Sequence, residues 1–160
     1  GATEGEELRL CLRAILLSGG PEGADTVAAA IAADTTPYGQ GGVGFDVYNV
    51  LGELTPEMRT AYGAAVLRAL GGDFGTPHLS GLQHLILSTP IVCGVEAAPA
   101  VEQYVGHADR EIREAAITTL AYIGRPESLR VLRGAWARPQ DALLRDVLRD
   151  SMEKLQFRAP

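Results

Sequence analysis

Four prolines, Pro21, Pro56, Pro90 and Pro126, fall 35, 34 and 36 residues apart. Three of them are followed by glutamate: Pro21-Glu22, Pro56-Glu57 and Pro126-Glu127. Proline's fixed φ and missing N–H suit the first position of a helix, and a carboxylate in the first turn faces the positive end of the helix dipole. A leucine stands five or six residues ahead of each proline, at Leu16, Leu51, Leu85 and Leu120. A period of this length predicts two-helix units too small to bury their own apolar faces, which must therefore stack on neighbours of the same kind.

The clearest unit is 97–125, AAPAVEQYVGHADREIREAAITTLAYIGR. Asp109 stands where its carboxylate can take an orphan backbone N–H at a helix start. Ile112, Ala116, Leu120 and Ile123 then recur at helical spacing and form one apolar stripe. Gly124 suits a left-handed helix end, and Pro126 prevents the helix from resuming. The same reading along the chain predicts a leading helix over 5–18 with Leu8, Leu12, Ile15 and Leu16 on its apolar face. It predicts a first helix over 21–34 with a partner over 45–54, then pairs 56–71 and 77–88, 95–106 and 109–123, and 126–137 and 140–156. Thr55 and Thr76, each just before a proline, are the expected caps of 56–71 and 77–88. The segment 90–96, PIVCGVE, has no clear assignment. On the last helix, Leu143, Leu144, Val147, Leu148, Met152 and Leu155 form the expected apolar face, and its charged side suits a terminal capping repeat. The expectation is one all-α repeat domain over 1–160, with units starting near 21, 56, 90 and 126. Because the chain opens on a lone second-type helix, we expect it to be a fragment of a longer protein.

Composition narrows the function. The 160 residues suffice for one core, and 46% apolar content excludes a disordered chain. A formal net charge of −6 gives no basic footprint for nucleic acid. No apolar run reaches the roughly 18–20 residues of a membrane span, and no signal peptide opens the chain, so a soluble, cytoplasmic protein is expected. Cys11 and Cys93 lie among apolar residues, as small buried hydrophobes in a reducing compartment would. A disulfide between them is the alternative.

The run DREIREAAITTLAYIGRPESLRVL (109–132) resembles the HEAT-repeat family in its short bacterial form. The shared marks are Asp109, Arg113, Ala115, Ala116, Leu120, Ile123 and Gly124, and the Asp/Arg pair returns as Asp141 and Arg145. The segment LRAILLSGGPEGA (12–24) repeats the leucine-to-Gly-Pro-Glu exit. The middle units match less well and carry an insertion at 35–44. The resemblance implies a right-handed α-solenoid of about four hairpins plus a leading helix, with second helices lining a concave surface. It also implies a protein-binding scaffold, and an arginine that reaches the cap of the neighbouring repeat. Some relatives are enzymes or ligand-handling proteins, so a tetrapyrrole-lyase-like or DNA-glycosylase-like activity is the competing expectation. A closed apolar cavity with converging carboxylates would favour the lyase.

The candidate sites follow. GQGGVG (39–44) satisfies G-x-G-x-x-G with Gly39, Gly41 and Gly44, but no strand precedes it, so a loop contacting a partner is preferred to a nucleotide cradle. Tyr38, Phe45 and Tyr48 flank it as an aromatic contact patch, or else Phe45 and Tyr48 pack as core. His78 and His84 are six residues apart, on different helix faces, and no histidine is followed by glutamate, so no metal or cofactor is expected. There is no G-x-S-x-G, and neither cysteine has a base beside it in sequence, so no catalytic residue is assigned and a non-enzymatic role is favoured. Glu111, Glu114 and Thr118 share one face of the helix over 109–123, and Arg145, Arg149 and Asp150 are placed similarly on the last helix. As a set they are the expected contacts to a protein partner. Trp136 is expected to fill a ridge in the core rather than stand exposed.

Overall fold

A computed structural model describes residues 4–37 and 40–158. Nine α-helices and no strand occur among the described residues. The chain forms two compact units that divide between Cys93 and Gly94.

The first unit holds α1 (Glu4–Ser18), α2 (Gly20–Ala32), α3 (Val43–Val50), α4 (Pro56–Gly71) and α5 (Leu79–Val92). α1 packs on α2 and α4 on α5 as sequential pairs, while α2 stacks on α4 and α3 lies against both α1 and α5. Leu12, Leu16, Val27, Ile31, Val66, Leu85 and Ile86 form its core. Ile15, on the expected apolar face of α1, is half-buried, and the side chain of Leu8 lies outside the described residues. Pro21 and Pro56 open α2 and α4, and Thr55 caps α4 by accepting the Met58 N–H at 3.2 Å.

Pro90 opens no helix. It lies inside the last turn of α5, and the second compact unit begins four residues on, at Gly94. A proline there leaves the carbonyl four residues back without its N–H donor. The Thr89 hydroxyl supplies a donor instead, to the Ile86 carbonyl at 2.7 Å, and the helix runs on to Val92. Thr76 does not cap α5 either. His78 holds that position without a side-chain bond, and its N–H donates to the Ala32 carbonyl at 2.9 Å. That bond ties the start of α5 to the end of α2. Tight packing continues from there: a Cβ on Gly81 would stand 2.0 Å from the Ile31 carbonyl oxygen. Only a residue without a side chain lets α5 approach α2 so closely.

The second unit holds α6 (Ala98–Glu102), α7 (Arg110–Ile123), α8 (Leu129–Trp136) and α9 (Ala142–Arg158). Its pairs are α6 with α7 and α8 with α9, and α7 stacks on α9. A 3-10 turn over Gly94–Ala97 precedes α6, and Pro99, not Pro90, sits in the first turn of that helix. Pro126 opens a 3-10 turn that feeds α8. Ile112, Ala116, Leu120 and Ile123 are all buried, as their spacing requires. Leu144, Leu148 and Leu155 bury the inner face of α9, with Ser151 between them. Leu143 departs from the expected apolar face and is exposed, because Leu144 already occupies the core side of that turn.

Candidate protein-interaction surface

α7 is the best-braced helix of the second unit. The Asp109 carboxylate accepts the N–H groups of Glu111 at 2.8 Å and Ile112 at 3.1 Å. His107 Nδ1 accepts the Asp109 N–H at 3.1 Å. The Arg113 guanidinium folds back and donates to the carbonyls of His107 and Ala108 at 2.8 and 2.9 Å. Gly124 ends the helix at φ 75°, and its N–H donates to the Leu120 carbonyl. Arg113 therefore closes its own turn rather than reaching the neighbouring repeat. Arg110 makes that reach, pairing with Asp141 at 3.2 Å and with Glu114 at 3.6 Å. Asp141 also caps α9 by accepting the Leu144 N–H at 2.9 Å. That backbone bond first, and the Arg110 charge with it, hold the Asp141 carboxyl below the usual carboxylate range.

With its ends held, α7 turns one stripe outward: Glu111 exposed, Thr118 half-buried and Tyr122 66% exposed. Glu114 flanks the stripe, half-exposed beside Arg110. The Lys154 ammonium of α9 lies 5.8 Å from the centre of the Tyr122 ring, within the range of a cation–π contact. The three α9 residues expected to join this face, Arg145, Arg149 and Asp150, are engaged elsewhere. Arg145 stacks over Trp136 at 4.9 Å, and Arg149 pairs with Asp146 at 2.8 Å and Asp150 at 3.8 Å on its own helix. Trp136 is half-buried beneath Arg145. Tyr122, Lys154 and Arg110 were not singled out from the sequence. Tyr122 follows Thr118 by four residues and Glu111 by eleven, so extending the helical wheel by one turn would have found it.

In the first unit, the glycine loop surrounds a carboxylate. Asp34 Oδ1 accepts the Thr36 N–H at 2.9 Å, and Oδ2 accepts the Gly44 N–H at 3.4 Å. The chain's own anion thus occupies the start of α3, where a phosphate cradle would need open N–H groups. The His84 ring packs against Gly44 so closely that a Cβ there would stand 2.4 Å from it. Burial pushes His84 below the ordinary imidazole range, and the Asp34 carboxylate partly opposes that shift. Phe45 and Tyr48 are 47% and 41% exposed, so they do not pack as core. Tyr38 and Gly39 lie outside the described residues.

The cysteines depart from expectation. Cys11 is exposed on α1, and Cys93 is half-buried, with Sγ 3.3 Å from the Gly63 carbonyl oxygen. Burial pushes the Cys93 thiol up to about 12, so it stays protonated near neutral pH. No group of three or more His, Cys, Asp and Glu among the described residues is disposed to hold a metal ion. The cleft beside α8 is an open groove, and its one carboxylate, Glu102, accepts the Ser128 hydroxyl at 2.7 Å. It is not a closed cavity with converging carboxylates. No helix among the described residues is long and apolar enough to cross a membrane.

No curated protein and no solved structure matches the chain significantly. The family model of HEAT repeats matches residues 49–153, from the end of α3 through most of α9. The match spans more than half the chain and agrees with helices packed in sequential pairs. This chain therefore belongs to the HEAT-repeat family.

Proposed function

We propose that this protein is a non-enzymatic scaffold that binds a protein partner through the second helices of its hairpins, with α7 as the main contact. The observation that carries the reading is the outward stripe Glu111, Thr118 and Tyr122 on a helix fixed at both ends. A large exposed aromatic with a polar edge, on a backbone that need not be ordered on binding, is the kind of residue that anchors protein interfaces. Rim carboxylates such as Glu111 and Glu114 add steering and selectivity more than affinity. Arg145 and Arg149 extend the charged surface along α9. Tyr48 and Phe45 offer a second contact patch on the first unit. We place the protein in the cytoplasm, where an exposed thiol such as Cys11 stays reduced.

Pull-downs with the wild-type chain, Glu111→Lys/Glu114→Lys and Tyr122→Ala test this reading. Specific partners should be retained by the wild type and lost by both variants. The thermal midpoint of each variant should stay within about 3 °C of wild type, since surface substitutions usually cost within about half a kcal/mol. Partners retained equally by all three proteins would overturn the assignment to α7.

A further inference from the structure

The second unit carries a recess on its first-helix side, away from the α7 stripe. The turn that follows α6 and the exposed side of α8 enclose a groove of about 380 Å³. Val105 and Ala135 are buried at its floor, with Val131 half-buried beside them. Arg130 and Arg138 stand exposed on its walls. Among the described residues neither guanidinium has a side-chain partner, whereas Arg68, Arg110, Arg125 and Arg149 all pair with carboxylates. The one acid lining the groove, Glu102, is held by Ser128. In a chain of net charge −6, two arginines against one carboxylate leave the groove with a positive balance, a local reversal of sign.

Two glycines line the groove. A Cβ on Gly106 would stand 3.0 Å from the tip of the Arg138 side chain, which places that guanidinium directly beside the Gly106 backbone. A Cβ on Gly134 would meet nothing within 4 Å, although Gly134 is in α8, where glycine costs stability relative to alanine. The space above it is free for a ligand.

We infer that this groove binds an acidic segment of a partner protein: an extended stretch with two carboxylate side chains and an apolar residue between them. Guanidinium forks match carboxylates geometrically, and the apolar floor offers a seat for the intervening side chain. Arg130 stands in the first turn of α8 and Arg138 two residues beyond its end at Trp136; the eight-residue helix rises about 12 Å, which an extended peptide covers in about four residues. Nucleic acid fits poorly, because the acidic remainder of the protein repels a long polyanion. This surface is distinct from the α7 stripe and does not depend on it.

The test is fluorescence anisotropy with a labelled Glu-Ala-Leu-Ala-Glu peptide and its Lys-Ala-Leu-Ala-Lys counterpart, titrated with the full chain. The acidic peptide should bind saturably and the basic one should not. Binding should weaken at least roughly tenfold in Arg130→Glu/Arg138→Glu, as expected when paired charges become like charges. It should also weaken when salt rises from about 50 mM to about 300 mM. Gly134→Gln should obstruct the groove and weaken binding while keeping or raising the thermal midpoint, which separates blockage from misfolding. Glu111→Lys/Glu114→Lys should bind the peptide as wild type does, so that failure of the α7 reading and failure of this one are distinguishable. No saturable binding, equal binding by the arginine variant, or displacement of the peptide by inorganic phosphate at lower concentration than by free peptide would overturn the assignment.

Discussion

In the unit up to Cys93, helices meet backbone against backbone: α5 comes within contact of the α2 carbonyls at Gly81, and the His84 ring lies on Gly44. In the unit from Gly94, alanines line the α7 interface and side-chain caps at Asp109 and Asp141 hold the helix ends. At these two points the first arrangement leaves no room for an added atom. The second tolerates side-chain changes but depends on a few polar bonds. One hairpin plan can thus be stabilised by close approach or by capping, and the two should respond to mutation differently.

Substitution at the closest approach should separate them most. Gly81→Ala puts a methyl group 2.0 Å from the Ile31 carbonyl oxygen, and the helices must move apart. The expected loss is about 3 kcal/mol by urea unfolding, near the upper end for overpacking a tight interface. A loss below about 1 kcal/mol would mean that α2 and α5 are not locked at this point. Asp109→Ala removes the cap that serves both Glu111 and Ile112. It should cost about 1 kcal/mol, with Asp109→Asn recovering most of it. Amide exchange of the first turn of α7 should accelerate more than that of its last turn.

The smallest effect is a pH response confined to the first unit. Burial lowers the His84 pKa from its ordinary 6.5, so the folded state favours the neutral ring. The unfolded chain then binds the proton more readily, so this contribution is complete above the ordinary value and is lost as pH falls through it. Thermal midpoints measured between about pH 7.5 and 5 should therefore drop, and His84→Gln should flatten that slope. An unchanged slope in the variant would assign the response to another group.

The same contrast explains what could be read from the chain. Asp109, the stripe from Ile112 to Ile123 and Gly124 were legible because caps and helical spacing are local signals. Pro90 misled because its cost is offset by Thr89, whose hydroxyl gives the Ile86 carbonyl a donor, a compensation no period reveals. The packing roles of Gly44 and Gly81 were not legible, since what they touch is 40 and 50 residues away in sequence, at His84 and Ile31 respectively. Arg113 and Arg110 exchanged roles because both can reach a carboxylate or carbonyl within one turn, and only the tertiary path of the turn decides between them. The outward stripe of α7 was half visible: its carboxylates stood out as charges, while Tyr122 carries no charge to mark it.

Site-specific photo-crosslinking compares the two units directly as partner surfaces. Benzoyl-phenylalanine placed at Tyr122 on α7 or at Phe45 on α3 would be irradiated in cells, and the adducts compared with and without Glu111→Lys/Glu114→Lys. Adducts from position 122 that vanish with the charge reversal are the predicted result. Adducts from position 45 alone, or adducts from 122 that ignore the reversal, would contradict the claim that α7 carries the partner contact.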